Sequence, residues 1–294
     1  TLLALPGAAR GLWVRRGALR AVLVFACLCL PMLGGALASG MSAATCAVVL
    51  VTVFAYVVFW SGLALIVATR GRSSIANATA LMGCWAVLTL VLPTVGNAVL
   101  AQSVPVRQGV ELMLAQRQAV HGAWDLPRED TMQQFFRNHP QWQNTAPLPA
   151  GFHWKWYYAF QQLGDESVAP QVAAYREGLL ARQRWSERVG WLLPGVGVQA
   201  ILHRTAATDL LAQLGYQDAI AAFHARLRSY YYPYLFNEVR FGPDDFAQLP
   251  RFQPAEADGI VPGVSLLALA LVAALVAMFG VRAGRRVGQH LYDH

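Results

Sequence analysis

Long apolar runs separated by short polar junctions dominate the chain. No Asp, Glu, Lys or Arg occurs between Arg20 and Arg70, between Arg72 and Arg107, or between Asp258 and Arg282. An α-helix rises ~1.5 Å per residue, so about 20 apolar residues cross ~30 Å of hydrocarbon. The first gap is too long for one crossing. It predicts two helices joined at Ser39-Gly40-Met41-Ser42, where small and polar residues collect. The pattern predicts membrane spans over residues 20–38, 43–69, 75–101 and 260–281.

The stretch 102–259 between the third and fourth spans reads as a helical domain. Residues 104–124 continue the third span as an amphipathic helix, and 130–138 form a short helix that ends at His139-Pro140, because a residue before proline avoids the helical region. Residues 141–151, with Pro147 and Pro149, read as loop. Apolar residues at three-to-four spacing, such as Val172, Tyr175, Leu179, Leu180 and Trp185, predict helices over 153–163 and 170–193, with Pro194-Gly195 as the break. Thr208 or Asp209 is the expected N-cap of a long helix that reaches Tyr232 and stops at Pro233. No useful β alternation and no internal repeat is found. The fold class expected is all-α: a polytopic membrane protein with one all-helical domain outside the bilayer.

Charge supplies the orientation. Arg10, Arg15, Arg16, Arg20, Arg70, Arg72, Arg282, Arg285 and Arg286 flank the predicted spans on one side, with Asp293 as the single acid there. Residues 102–258 hold the other 14 basic residues and 15 of the 16 acids. Basic residues near span ends favour the cytoplasm. Both ends of the chain are therefore expected inside and 102–259 outside. The net charge of +7 is a rim of basic residues and does not form the clustered stripe that nucleic acid needs.

Motifs for catalysis are absent. There is no G-x-x-x-x-G-K-[ST] phosphate loop, and the single lysine, Lys155, sits in His153-Trp154-Lys155-Trp156 without a glycine cradle. H-E-x-x-H and G-x-S-x-G are missing too. The predicted spans lack the ionisable residues that proton-coupled carriers and voltage sensors use. No metal site is expected: His121, His139, His153, His203 and His224 lack ligand spacing, although His203 and His224 could approach across two helices. Cys27, Cys29, Cys46 and Cys84 fall inside spans and read as small apolar residues.

Two groups of residues are candidates for function. Ser61, Asn77, Thr89, Thr94 and Asn97 are polar positions within spans; they either line a substrate pathway or hydrogen-bond between helices. Residues 191–201 are unusually apolar, and Trp191, Leu193, Val196 and Ile201 are candidate contacts with a partner or the outer leaflet, unless the segment is core. The aromatic group Phe152, Trp154, Trp156, Tyr157, Tyr158 and Phe160 is either packed core or an interfacial belt. Pro31 and Pro93 are expected to kink their spans, and Gly280 and Gly284 hint at close helix contact.

Several of these segments resemble the C-terminal part of permeases of type-2 ATP-binding-cassette (ABC) transporters, in a bacterial subfamily with a large extracytoplasmic insert before the last span. Residues 85–97, with Trp85, Leu92-Pro93 and Asn97, are similar to the fifth of that family's six spans. Trp191-Leu192-Leu193-Pro194, then Gln199 and Ala206-Ala207-Thr208-Asp209, resemble the subfamily's insert. So do Phe223-His224-Ala225-Arg226-Leu227 and the run from Tyr230 through Pro233 to Phe236.

The resemblance implies a permease subunit of exporter type in the bacterial inner membrane, moving an unidentified substrate. It is not itself an enzyme and carries no cofactor; ATP and Mg would sit on separate ABC ATPase subunits. A second permease, identical or paralogous, the lipid bilayer and an extracytoplasmic binding or accessory protein are the other partners implied. On this reading the four spans are the last four of six, the first two and the coupling helix would lie upstream of Thr1, and Arg70-Gly71-Arg72-Ser73 either touches the ATPase or only anchors topology. The alternative is a membrane-anchored scaffold or sensor whose outer domain binds an extracytoplasmic partner.

Overall fold

The computed structural model describes residues 8–70, 73–106, 109–254 and 262–290, and these fold entirely as helix, turn and loop, with no strand among them. Among the described residues, four helices are long and apolar enough to cross a membrane: Arg15–Ser39, Ala43–Ala68, Ser74–Ser103 and Gly263–Arg285. The first belongs to α1 (Ala8–Ser39), which passes through Pro31 without ending, and the second is α2 (Ala43–Ala68). Ser42 caps α2 by accepting a hydrogen bond from the Thr45 amide at 3.1 Å, the role expected of a serine one residue before a helix. Gly40, at φ +67°, makes the turn between α1 and α2 in a region that favours glycine. The third span is α3 (Ser74–Ala86), a π-helical turn over Val87–Val91 and α4 (Leu92–Ser103). Gly71 and Arg72 of the second junction, residues 260 and 261 of the predicted fourth span, and Thr1 and Asp293 lie outside the described residues.

The third span does not run on as expected. It stops at Ser103, and α5 (Gly109–Trp124) is a separate helix. Pro105 accounts for the break, since it lacks an amide hydrogen and pushes Val104 out of the helical region. Next come α6 (Arg128–Asn138), α7 (Trp154–Ser167), α8 (Ala169–Leu192), α9 (Pro194–Thr205), α10 (Leu210–Phe236), α11 (Pro243–Ala247) and α12 (Gly263–His290). Asp209 caps α10, its Oδ1 accepting from the Ala212 amide at 3.0 Å. Pro233 does not stop α10; the helix runs one turn further, to Phe236. Burial outweighs the lost hydrogen bond there, because Tyr232 and Phe236 both sit in a core. The Thr145 hydroxyl also caps the Phe236 carbonyl.

The chain forms two compact units, and they divide it differently from a single block over 102–259. One holds the spans together with Gln183–Ala212; the other holds Val104–Arg182 and Gln213–Glu256. In the span unit, α2 packs on α1, α12 and α9. A methyl group on Gly280 would stand 2.6 Å from the Gly62 carbonyl oxygen, so α2 and α12 meet backbone to backbone, the contact that Gly280 foreshadows. In the second unit, α7 packs on α5 and α6. Its core joins Met132 and Phe135 to Trp156, Phe160, Tyr232 and Phe236, with Phe135 and Phe236 stacked at 5.2 Å. Lys155 is fully buried; its ammonium meets Glu238 at 2.5 Å and the Ala146 carbonyl at 3.4 Å.

Candidate functional site

Residues 183–212 carry a helical hairpin into the span unit. Leu193 is the only residue between α8 and α9, and its extended backbone reverses the chain. Pro194 opens α9, where a missing amide hydrogen costs nothing. Gly190 and Gly197 let the two arms touch: a methyl group on Gly197 would lie 2.5 Å from the Gly190 carbonyl oxygen. At the apex, a methyl group on Gly195 would lie 3.6 Å from Thr89 Cγ2 and 3.9 Å from the Tyr56 hydroxyl. Tyr56 stands about 20 Å along α2 from its first residue, and Thr89 is mid-way along the third span. The hairpin tip is therefore level with the centres of two spans.

That level is also where the third span departs from α-helical geometry. The π turn Val87–Val91 contains Thr89 and ends two residues before Pro93. Single π turns in α-helices are frequent at functional sites. The Thr89 hydroxyl donates to the Trp85 carbonyl at 2.6 Å. Thr79 and Thr94 bond back in the same way, to Ile75 at 3.0 Å and Leu90 at 2.6 Å. These threonines satisfy themselves within their own helix, not between helices. Asn77 and Asn97 are separated by about 30 Å along the span, too far to share one compact site. Ser61 is half-buried on α2 and Asn97 is exposed. Thr89 is the polar span residue that meets the hairpin tip at Gly195.

Ile201, on α9, is fully buried in a cluster with Val48, Ala55, Phe59, Leu269 and Ala273. Val196 and Leu193 are half-buried and Trp191 is exposed. The apolar segment 191–201 thus seats one face against α2 and α12, while Trp191 and Leu192 remain uncovered. Tyr56 was not among the sequence candidates. An aromatic residue in an apolar span carries no signal until its hydroxyl is placed at the hairpin tip.

The second unit holds a groove of about 680 Å³ between α7 and α10. One end is aromatic, with Trp154, Tyr158, Tyr231 and Phe241; the other is polar, with Asp165, His224 and Arg228. The aromatic segment 152–160 therefore divides by face. Trp156 and Phe160 are core, whereas Phe152, Trp154 and Tyr158 are exposed. A hydrogen-bonded chain starts in the groove wall: the Tyr232 hydroxyl donates to Gln162 Oε1, and Gln162 Nε2 lies 2.8 Å from Glu166 and 2.9 Å from His139. Glu166 Oε1 is 2.7 Å from His139 Nε2. Burial works to raise the Glu166 pKa, but hydrogen bonds from Asn138, Gln162 and His139 outweigh it and hold the carboxyl below its ordinary value. Burial is the main reason that the Tyr232 phenol is pushed up to about 12. His203 lies in the other unit, where its Nδ1 is 3.0 Å from the Thr208 hydroxyl. Among the described residues, no three His, Cys, Asp or Glu side chains are grouped to hold a metal ion.

Residues 110–255 match the family model of a domain of unknown function (DUF3526). No curated protein and no solved structure matches the chain. The matched stretch contains both the α7–α10 groove and the α8–α9 hairpin.

Proposed function

We propose that the chain is the membrane-spanning permease subunit of an ATP-driven exporter of the ABC class, seated in a bacterial inner membrane. Both ends of the chain face the cytoplasm and residues 102–259 lie on the outer side, apart from the α8–α9 hairpin, whose tip is level with the middle of the second and third spans. The observation that carries the reading is the hairpin apex at Gly195, set against Tyr56 and Thr89 at the level of the π turn. A membrane anchor needs only apolar spans. A hairpin seated among them is an addition that anchoring does not require. Its one non-helical residue, Leu193, keeps its backbone bonded, its amide donating to the Val189 carbonyl and its carbonyl accepting from the Gly197 amide, as chain reversal at membrane depth demands.

Neither α2 nor the third span carries an Asp, Glu, Lys, Arg or His, and the sequence holds no phosphate loop. A transport cycle here would draw its energy from a second protein, through rigid-body movement of the spans. ATP and Mg would be held on that partner, and a second permease would complete the assembly. Purification from native membranes in mild detergent tests this. A chain bearing G-x-x-x-x-G-K-[ST] should accompany the permease in stoichiometric amount, and its reproducible absence would contradict the proposal.

A further inference from the structure

We propose that the α7–α10 groove binds a single-chain anionic amphiphile, with its head at Arg228 and its tail along Trp154, Tyr158 and Tyr231. The groove has the size of a ligand site, about 680 Å³ against a usual range of roughly 300–1,000 Å³, and its lining is mainly apolar with the charged side chains, Asp165 and Arg228, together at one end. That asymmetry follows from the helix pairing. The Trp154 end of α7 lies with the Phe241 end of the groove, and the Asp165 end lies with His224 and Arg228. From Trp154 to Asp165 the groove runs about 16 Å, the reach of a medium-length alkyl chain.

The aromatic rings are not spent on the core. Trp154, Tyr158 and Tyr231 remain 55%, 44% and 40% exposed, although Trp156 and Phe160 on the neighbouring face of the same helix are buried. At the polar end the two charges are not equally available. Asp165 Oδ1 already accepts from Gln116 at 2.7 Å. Arg228 reaches Asp165 only at 3.8 Å, and its guanidinium forms no hydrogen bond among the described residues. A guanidinium with free donors in a planar fork matches a carboxylate or phosphate head, so the occupant is anionic. This inference stands independently of the transport reading, since it concerns the second unit alone.

The test uses the full chain in nanodiscs of neutral phospholipid. Dodecanoate with a diazirine at its tail is added and photolysed, and the labelled peptides are mapped. Adducts are expected on the α7 and α10 groove peptides, displaced by excess dodecanoate and not by dodecyltrimethylammonium. Arg228→Gln should lower groove labelling about tenfold, the weight of a charge-assisted hydrogen bond, while labelling of the spans by probe dissolved in the bilayer stays constant. Trp154→Ala, at an exposed position, should lower it as well without changing the circular dichroism spectrum. An unlabelled groove, equal displacement by both competitors, or labelling indifferent to Arg228→Gln would overturn the proposal.

Discussion

Gly197 lies so close to Gly190 that a methyl group on it would stand 2.5 Å from the Gly190 carbonyl oxygen. The two arms of the α8–α9 hairpin are therefore joined backbone to backbone, and the obstacle is an oxygen of a helix that cannot rotate away. Gly197→Ala should cost about 1–3 kcal/mol, the usual range for overpacking, read as a lower melting temperature. Gly215 in α10 has open space where its Cβ would go, so Gly215→Ala should be neutral or stabilise by roughly 0.5–1 kcal/mol. Equal effects of the two substitutions would contradict the hairpin geometry.

The pairing of α2 with α12 rests on the same kind of contact. A Cβ on Gly62 would meet Ala277 backbone atoms at 2.7 Å, and one on Gly280 would meet the Gly62 carbonyl at 2.6 Å. Gly62→Leu should separate the two spans and cause loss of the protein from detergent-solubilised membranes. Gly83→Leu, where nothing lies within 4 Å, should leave the yield unchanged. The comparison is read by size-exclusion chromatography of both variants.

The second unit should be acid-labile. The Lys155 ammonium is the main cause that lowers the Glu238 pKa, the Gly242 amide is the main cause for Asp245, and hydrogen bonds overcome burial at Glu166. Each group is depressed on folding. Its contribution is therefore complete above the ordinary carboxylate range and disappears as pH falls through the folded value. Melting temperature should be flat near neutrality and drop in the acid range. Glu166→Gln should lower the neutral value and flatten the acid limb; an unchanged acid limb would remove Glu166 from the account.

Lys155 illustrates what the sequence could and could not convey. Its uniqueness was visible, and so was the lack of a phosphate loop around it, but its burial was not. Trp154 and Trp156 flank it, and only the helix register shows that Lys155 and Trp156 face inward while Trp154 faces out. Glu238, its partner 83 residues away, occupies a left-handed backbone position at φ +55° that no local pattern announces. Glu238→Lys should therefore destabilise the unit more than Lys155→Met, because it leaves the buried Lys155 ammonium without its carboxylate, whereas Lys155→Met removes the buried charge. Differential scanning fluorimetry of the pair checks the order.

The spans were legible because a bilayer demands long charge-free runs, and the four helices start and end within a few residues of the expected positions. The interior of 102–259 was less so. Pro105 broke a helix that apolar periodicity alone would continue, and Pro233 failed to break one whose last turn is buried. The placement of Ile201 beside Leu269 and Ala273 depends on tertiary packing between segments far apart in the chain. Periodicity identified an apolar face there but could not say what covers it. Thr89 was legible as a polar span residue, and its difference from Thr94 was not.

Topology is checked by single cysteines in a background lacking Cys27, Cys29, Cys46 and Cys84. Cysteines at Ser167 and Gln217 should react with an impermeant thiol reagent applied to intact spheroplasts. One at Arg285, the last residue of the fourth span, should react only after permeabilisation. The reversed pattern would sink the proposed orientation.

ATP hydrolysis measured on the purified chain and on its native assembly in proteoliposomes tests the central claim most directly. The chain alone should bind and hydrolyse no ATP. The assembly should hydrolyse it, and Gly195→Trp, which forces a ring into the contact with Thr89 and Tyr56, should alter that rate several-fold without dissociating the complex. Nucleotide binding by the isolated chain, or an assembly with no ATPase activity at all, would contradict the assignment as a permease driven from outside the chain.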